Sequence, residues 1–228
     1  MRGFSLALLV LGLAGGGLAV TATEAKVHTE TVVYHHGDTT LEGFLAYPEA
    51  SSRPLPGVLL VHVWGGPGPY SRRRAEQLAE AGYVAFAIDM YGQGVRPVTM
   101  EEKAKQAGIY RSDRALMRAR AGAGLDVLLA NPKVDPKRVA AIGYCFGGGT
   151  ALELARAGAP LAGVVSFHGN LDTPNPADAK AIKAKILVCH GADDPYVPAE
   201  QVSAFQAEMK NAGVDYQFIA YSGAVHAF

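Results

Sequence analysis

An α/β domain is predicted from the sequence: a mostly parallel sheet with helices on both faces, preceded by an N-terminal β-hairpin. Three observations predict it. Apolar runs of strand length alternate with helical segments along most of the chain, the pattern of strands buried on both faces. Ahead of them, two stretches of alternating polarity flank a Gly-Asp turn, which reads as a hairpin. Finally, the polar and glycine-rich residues fall where the apolar runs end, the side on which parallel sheets gather their ligand sites.

The elements follow in order. HTETVVYHH and TTLEGFLAY alternate around Gly37-Asp38, and Pro48 to Pro56 forms the loop after them. PGVLLVHV is the first continuous apolar run, followed by the helical SRRRAEQLAEAG and the run YVAFAIDMYG. One long helical stretch is expected from about Thr99 to Leu129, then the strand RVAAIGYC and the helix TALELARAG. The strand LAGVVSFHG, a polar Pro-rich loop near Asp172 to Ala179, and the strand KILVCHG come next. The helix AEQVSAFQAEMKNAG and the strand DYQFIAYSG complete the pattern. There is no internal repeat.

The 228 residues, 49% of them hydrophobic, suffice for one domain with a substantial core. Its 21 basic and 21 acidic side chains cancel, so the chain carries no electrostatic footprint for nucleic acid or an anionic membrane. A small-molecule partner is expected, and nothing in the composition speaks to oligomeric state. Residues 1–25 read as an export signal: one Arg, an apolar stretch from Phe4 to Val20, and small residues at Ala22 and Ala25 for cleavage. The expected location is periplasmic or secreted, with no stable membrane association once the signal is cleaved. The alternative is anchoring by an uncleaved N-terminal helix. Residues 26–228 form the domain.

Only two cysteines occur, Cys145 and Cys189. If both end parallel strands that flank LAGVVSFHG, they stand about 9.6 Å apart, two strand spacings and beyond disulfide reach. Cys145 is then a free thiol. It sits in GYCFGGG, a G-x-nucleophile-x-G turn between strand and helix with sulfur at its apex. The glycines let the chain turn under a side chain that must stand clear of the sheet, and the following helix N-terminus favours a thiolate.

A nucleophile in this turn takes a general base and an orienting acid in the chain order nucleophile, acid, histidine. His226, in SGAVHAF, and Asp194, in HGADD, fit that order; Asp193 and Asp172 are the competing carboxylates. His28, His35 and His36 belong to the outer hairpin, and His62, His168 and His190 end core strands, where supporting hydrogen bonds are the expected role. An oxyanion would meet two backbone N–H groups, those of Phe146 and of Trp64 in HVWGGPG. Lys103, Arg111 and Arg114 could steer a substrate carboxylate, yet their spacing suits a solvated helix face. Tyr91 and Tyr144 are candidate pocket walls. No metal is expected, because neither cysteine has zinc-type spacing to a histidine pair, and the absence of C-x-x-C argues against thiol redox chemistry.

With GYCFGGG, DMYGQG, HGADDPYVP and YSGAVHAF in this order, residues 26–228 resemble the dienelactone hydrolase family, cysteine-dependent members of the α/β-hydrolase fold. The resemblance implies a Cys145, His226, Asp194 triad that hydrolyses small carboxylic esters or lactones through a thioester acyl-enzyme, with no cofactor. It favours Asp194 over Asp193, because the family's acid directly precedes a segment like PYVP. Two departures accompany it. Where the family commonly has His-Glu-Trp, with the glutamate partnering the resting thiol, this chain has His62-Val63-Trp64. Cys145 is therefore expected to pair directly with His226. The family also continues beyond the histidine into a further helix and, in lactone-cleaving members, an arginine; this sequence stops at Phe228, so a domain without that helix is expected. A non-catalytic small-molecule-binding protein on the same fold is the competing reading.

Overall fold

The computed structural model describes residues 26–228; the expected export signal lies outside the described residues. Eight strands form one sheet in the order β1-β2-β4-β3-β5-β6-β7-β8. β1 (Val27–His36) and β2 (Thr39–Pro48) make the hairpin, and β2 runs antiparallel to β4 (Val84–Ile88). From β4 through β3 (Leu55–Val61), β5 (Val134–Tyr144), β6 (Gly163–Phe167) and β7 (Lys185–Gly191) to β8 (Tyr216–Tyr221), every pairing is parallel. This is the architecture of the α/β-hydrolase fold.

The continuous apolar runs are used on both faces, as the period-2 side-chain alternation of a strand requires. Leu60, Ala85 and Ala87 pack with Ala75 and Ala79 of α1 (Pro69–Glu80) on one face. Leu59, Val61, Phe86 and Ile88 join the larger core on the other. There they meet α3 (Arg114–Ala130) through Met117, Leu125 and Leu128, α4 (Phe146–Arg156) through Leu152, and α5 (Ala199–Ala212) through Phe205 and Met209. Each such buried large side chain contributes about 1.5–3 kcal/mol of transfer free energy.

The expected single helix from Thr99 to Leu129 is two helices, α2 (Met100–Ser112) and α3, meeting at Asp113. Asp113 has extended backbone and its carboxylate accepts the Leu116 N–H at 2.9 Å, an N-cap that starts a second helix. Every residue of α4 is buried. Its last turn is held by paired charges: Arg156 bonds Glu153 at 2.9 Å and Glu208 of α5 at 2.7 Å, while Arg118 of α3 reaches Glu153 at 2.7 Å. Removing one member of such a buried cluster costs about 3–5 kcal/mol, because the partner charge is left unpaired. The cluster thus fixes the helix whose other end follows Cys145. No helix among the described residues is long and apolar enough to cross a membrane.

Candidate active site

The site is built from the ends of parallel strands, starting at the turn between β5 and α4. Cys145 has φ +56°, a left-handed backbone that lifts its side chain out of the turn. Its N–H donates to Phe167 O at 3.0 Å and its carbonyl accepts Gly148 N–H at 3.0 Å, so the apex is pinned on both sides. The turn closes so tightly that a Cβ at Gly147 would lie 2.7 Å from the His62 carbonyl oxygen and closer still to that of Val61. One at Gly143 would lie 2.7 Å from Gly148 N. Both positions admit glycine alone.

Cys145 is half-buried, and neither cysteine is in a disulfide. The residue before Cys145 aligns with Phe167 in β6, which aligns with Cys189 in β7, so the two thiols are two strands apart. Burial pushes the Cys145 thiol above its ordinary value, against the backbone N–H groups of Phe146 and Trp64 and the Arg111 charge, all of which favour the thiolate. The expected thiolate bias of the helix terminus is thus outweighed by desolvation, and the resting group is the thiol. The same two N–H groups are those expected to meet an oxyanion, and both favour negative charge on the sulfur.

His226 lies on the loop after β8. Its Nδ1–H donates to Asp194 Oδ2 at 2.8 Å, while Asp194 Oδ1 accepts the Tyr196 N–H at 2.9 Å. Asp194 is buried; Asp193 is exposed, and Asp172 pairs instead with Arg114 at 2.7 Å. The two loops are joined by backbone bonds, Ala192 N–H to Tyr221 O at 3.0 Å and Asp193 N–H to Ala224 O at 2.9 Å. Cys145 Sγ and a ring nitrogen of His226 lie within 4.8 Å of each other, with no direct hydrogen bond among the described residues.

Behind the expected oxyanion loop, His62 is 1% exposed. Its Nδ1–H donates to Val63 O at 2.6 Å, and its Nε2 accepts the Met90 N–H at 3.2 Å. Burial lowers its pKa to about 4. Asp89, also buried, accepts the N–H groups of Tyr91 at 2.9 Å and Gly92 at 3.0 Å, folding the chain back after β4. Tyr91 then donates its hydroxyl to Trp64 O at 2.9 Å. Its role is to hold the loop rather than to wall the cavity. Tyr144 stacks on Phe167 at 4.8 Å and faces a neighbouring cleft shared with Val63 and His168.

A cavity of about 280 Å³ opens over the thiol, lined by Trp64, Arg111, Cys145, Asn170, Tyr196 and His226. Arg111, open from its spacing to a substrate-steering role or to a solvated helix face, sits near the end of α2 and lines this cavity. There Arg111 Nη2–H donates to Asn170 Oδ1 at 2.8 Å. Lys103 lines a different, wider cleft with Arg72, Arg73 and Arg96. Sequence reasoning missed His168 as a neighbour of Cys145. It follows β6 with φ +40°, is buried, and stands with its ring 4.8 Å from that of His226. Desolvation, with the His226 charge second, lowers its pKa to about 4.

Comparison with known proteins gives a consistent picture. A crystal structure of a dienelactone hydrolase-like promiscuous phosphotriesterase from metagenomic libraries is 42% identical, with a TM-score of 0.85 over 89% of this chain and 84% of that one. Dienelactone hydrolase from Anabaena variabilis is 25% identical, with a TM-score of 0.66 over 88% of both chains. A Bradyrhizobium protein named probable 2-oxo-3-(5-oxofuran-2-ylidene)propanoate lactonase is 29% identical over 88% of this chain and 86% of its own. Residues 41–228 match the family model described as the dienelactone hydrolase family. With this match across most of its length, and the strand-end thiol at its centre, the chain belongs to the dienelactone hydrolase family.

Proposed function

We propose that the protein, a lactone and ester hydrolase by family, works through Cys145 as nucleophile, His226 as general base and Asp194 as the acid that orients it. The observation that carries this reading is the 2.8 Å bond from His226 Nδ1 to a buried Asp194 carboxylate, which leaves Nε2 unprotonated, in a ring with one nitrogen within 4.8 Å of the thiol. Because burial keeps Cys145 protonated, proton transfer to His226 accompanies attack on the carbonyl rather than preceding it. The tetrahedral oxyanion then meets the N–H groups of Phe146 and Trp64. His226 returns the proton to the departing alkoxide, leaving a thioester on Cys145. Water, deprotonated by the same imidazole, cleaves it and restores the thiol.

Arg111 in the cavity favours esters or lactones that carry a carboxylate. The 42% identity to a promiscuous phosphotriesterase supports phosphotriesters as a second substrate class, since the same N–H pair would face a phosphoryl oxygen. The test is hydrolysis of short-chain p-nitrophenyl esters, and of an aryl dialkyl phosphate, by the protein and by Cys145→Ala, with circular dichroism confirming that both fold. Ester turnover lost only in the variant supports the thiol mechanism. Equal turnover in both refutes Cys145 as the nucleophile, and none in either returns the reading to a non-catalytic binding protein.

A further inference from the structure

Along the chain, cysteine and histidine have no zinc-type spacing, but the parallel register of β5, β6 and the β8 loop brings three donors together. Cys145 Sγ, one ring nitrogen of His168 and one of His226 all lie within 4.8 Å of one another. A tetrahedral Zn²⁺ with bonds of about 2.3 Å to sulfur and 2.0–2.1 Å to imidazole needs donors roughly 3.4–3.6 Å apart, so small side-chain rotations close the gap. Three protein donors with an open fourth position is the usual geometry of an accessible zinc.

Two further observations mark this as a built site. His226 already donates Nδ1–H to Asp194, the carboxylate–histidine arrangement that fixes the tautomer of a zinc ligand and raises its basicity. His168 is 7% exposed, yet its buried Nδ1 has no hydrogen-bond partner, and the mechanism above gives this ring no work. Its left-handed backbone is anchored by its N–H donating to Cys189 O at 2.8 Å, and a ring nitrogen lies within 4.8 Å of the thiol. Non-glycine residues in that conformation are strained, and such strain gathers at functional positions.

We propose that Cys145, His168 and His226 form a Zn²⁺ site that reversibly switches off the thiol. On binding, the Sγ–H proton is released to solvent and a Zn–S bond forms; both imidazoles bind as neutral donors through nitrogen lone pairs, and water from the cavity takes the fourth position. The thiolate and the Asp194 carboxylate together balance the charge of the ion, while Arg111 stays on Asn170 across the cavity. Sulfur with two imidazoles selects Zn²⁺ over Mg²⁺ or Ca²⁺.

Titrating the full chain with Co²⁺ as a spectroscopic stand-in tests the site without reference to hydrolysis, so its failure and the failure of the triad reading are distinguishable. A thiolate-to-cobalt charge-transfer band is expected in the native protein and absent in Cys145→Ala. Affinity should fall roughly 100-fold in His168→Asn, a substitution that tolerates the left-handed backbone. At about 10 μM free Zn²⁺, alkylation of Cys145 by iodoacetamide should slow at least tenfold and recover with EDTA. No band in the native protein, or undiminished affinity in His168→Asn, overturns the proposal. Should that variant fail to fold, X-ray absorption of the Zn²⁺-loaded native protein decides: one sulfur with two imidazoles is required, and one sulfur with a single imidazole refutes it.

Discussion

Acid should unhinge the loop that carries Trp64, and His62 sets by how much. Its imidazole is neutral in the fold because burial disfavours the charge; Asp89 and the Val63 carbonyl pull its pKa upward and Arg96 downward, and the balance is about 4 against an ordinary 6.5. The folded protein therefore binds this proton less readily than the unfolded chain, so the stabilisation is complete above pH 6.5 and is lost as the pH falls toward 4. With these two values, moving from pH 7 to pH 4.5 removes roughly 2–3 kcal/mol from this group alone. The structural cause is local: a proton on Nε2 would face the Met90 N–H that this nitrogen now accepts. Urea unfolding of the native protein and of His62→Gln across this range isolates the contribution, because other titrating groups, His168 included, are common to both. Between pH 4 and 6.5 the native stability should fall faster than that of the variant, by up to about 1.4 kcal/mol per pH unit. Parallel stability profiles would refute the reasoning.

Three further outcomes follow from the site. Asp194→Asn should lower kcat for p-nitrophenyl esters by about 10²–10⁴-fold through loss of the His226 tautomer, while Asp193→Asn, exposed, should stay within about twofold. Arg111→Gln should raise KM for carboxylate-bearing esters by roughly tenfold and leave neutral esters nearly unchanged, read from paired steady-state kinetics. Gly147→Ala should destabilise by more than about 3 kcal/mol or abolish soluble expression, because the new methyl meets two backbone carbonyls that cannot move independently; a melting temperature near that of the native protein would contradict it.

How far the sequence reaches depends on the kind of signal. Alternation in HTETVVYHH and the unbroken apolar VLLV and VAFAI sufficed for the hairpin and the parallel core, since burial on one face or two leaves different patterns. GYCFGGG, HGADD and SGAVHAF were legible because a strand end is also where the chain turns polar. The break at Asp113 was not, because helical periodicity continues across it and only the Ser-Asp pair hints at a cap. Arg111 was left between two roles because spacing identifies a helix face but not what that face meets. Nor could His168 be paired with Cys145 from the chain, as 23 positions separate them and only the β5–β6 register, Tyr144 opposite Phe167, sets the two next residues side by side. A histidine just after a strand that neighbours the one ending in Cys145 was the available clue.

The backbone bonds from Ala192 to Tyr221 and from Asp193 to Ala224 turn two loops into one mechanical part. β8 is an edge strand whose residues are mostly exposed, the kind of element that opens first in local fluctuations. Yet the carboxylate and the imidazole ride on the same stitched piece, so fluctuation of that edge carries both together relative to the sulfur. Such motion would change the gap between Sγ and the His226 ring while leaving the His226–Asp194 bond intact, so under the proposed mechanism turnover should depend on how often the edge settles against the elbow.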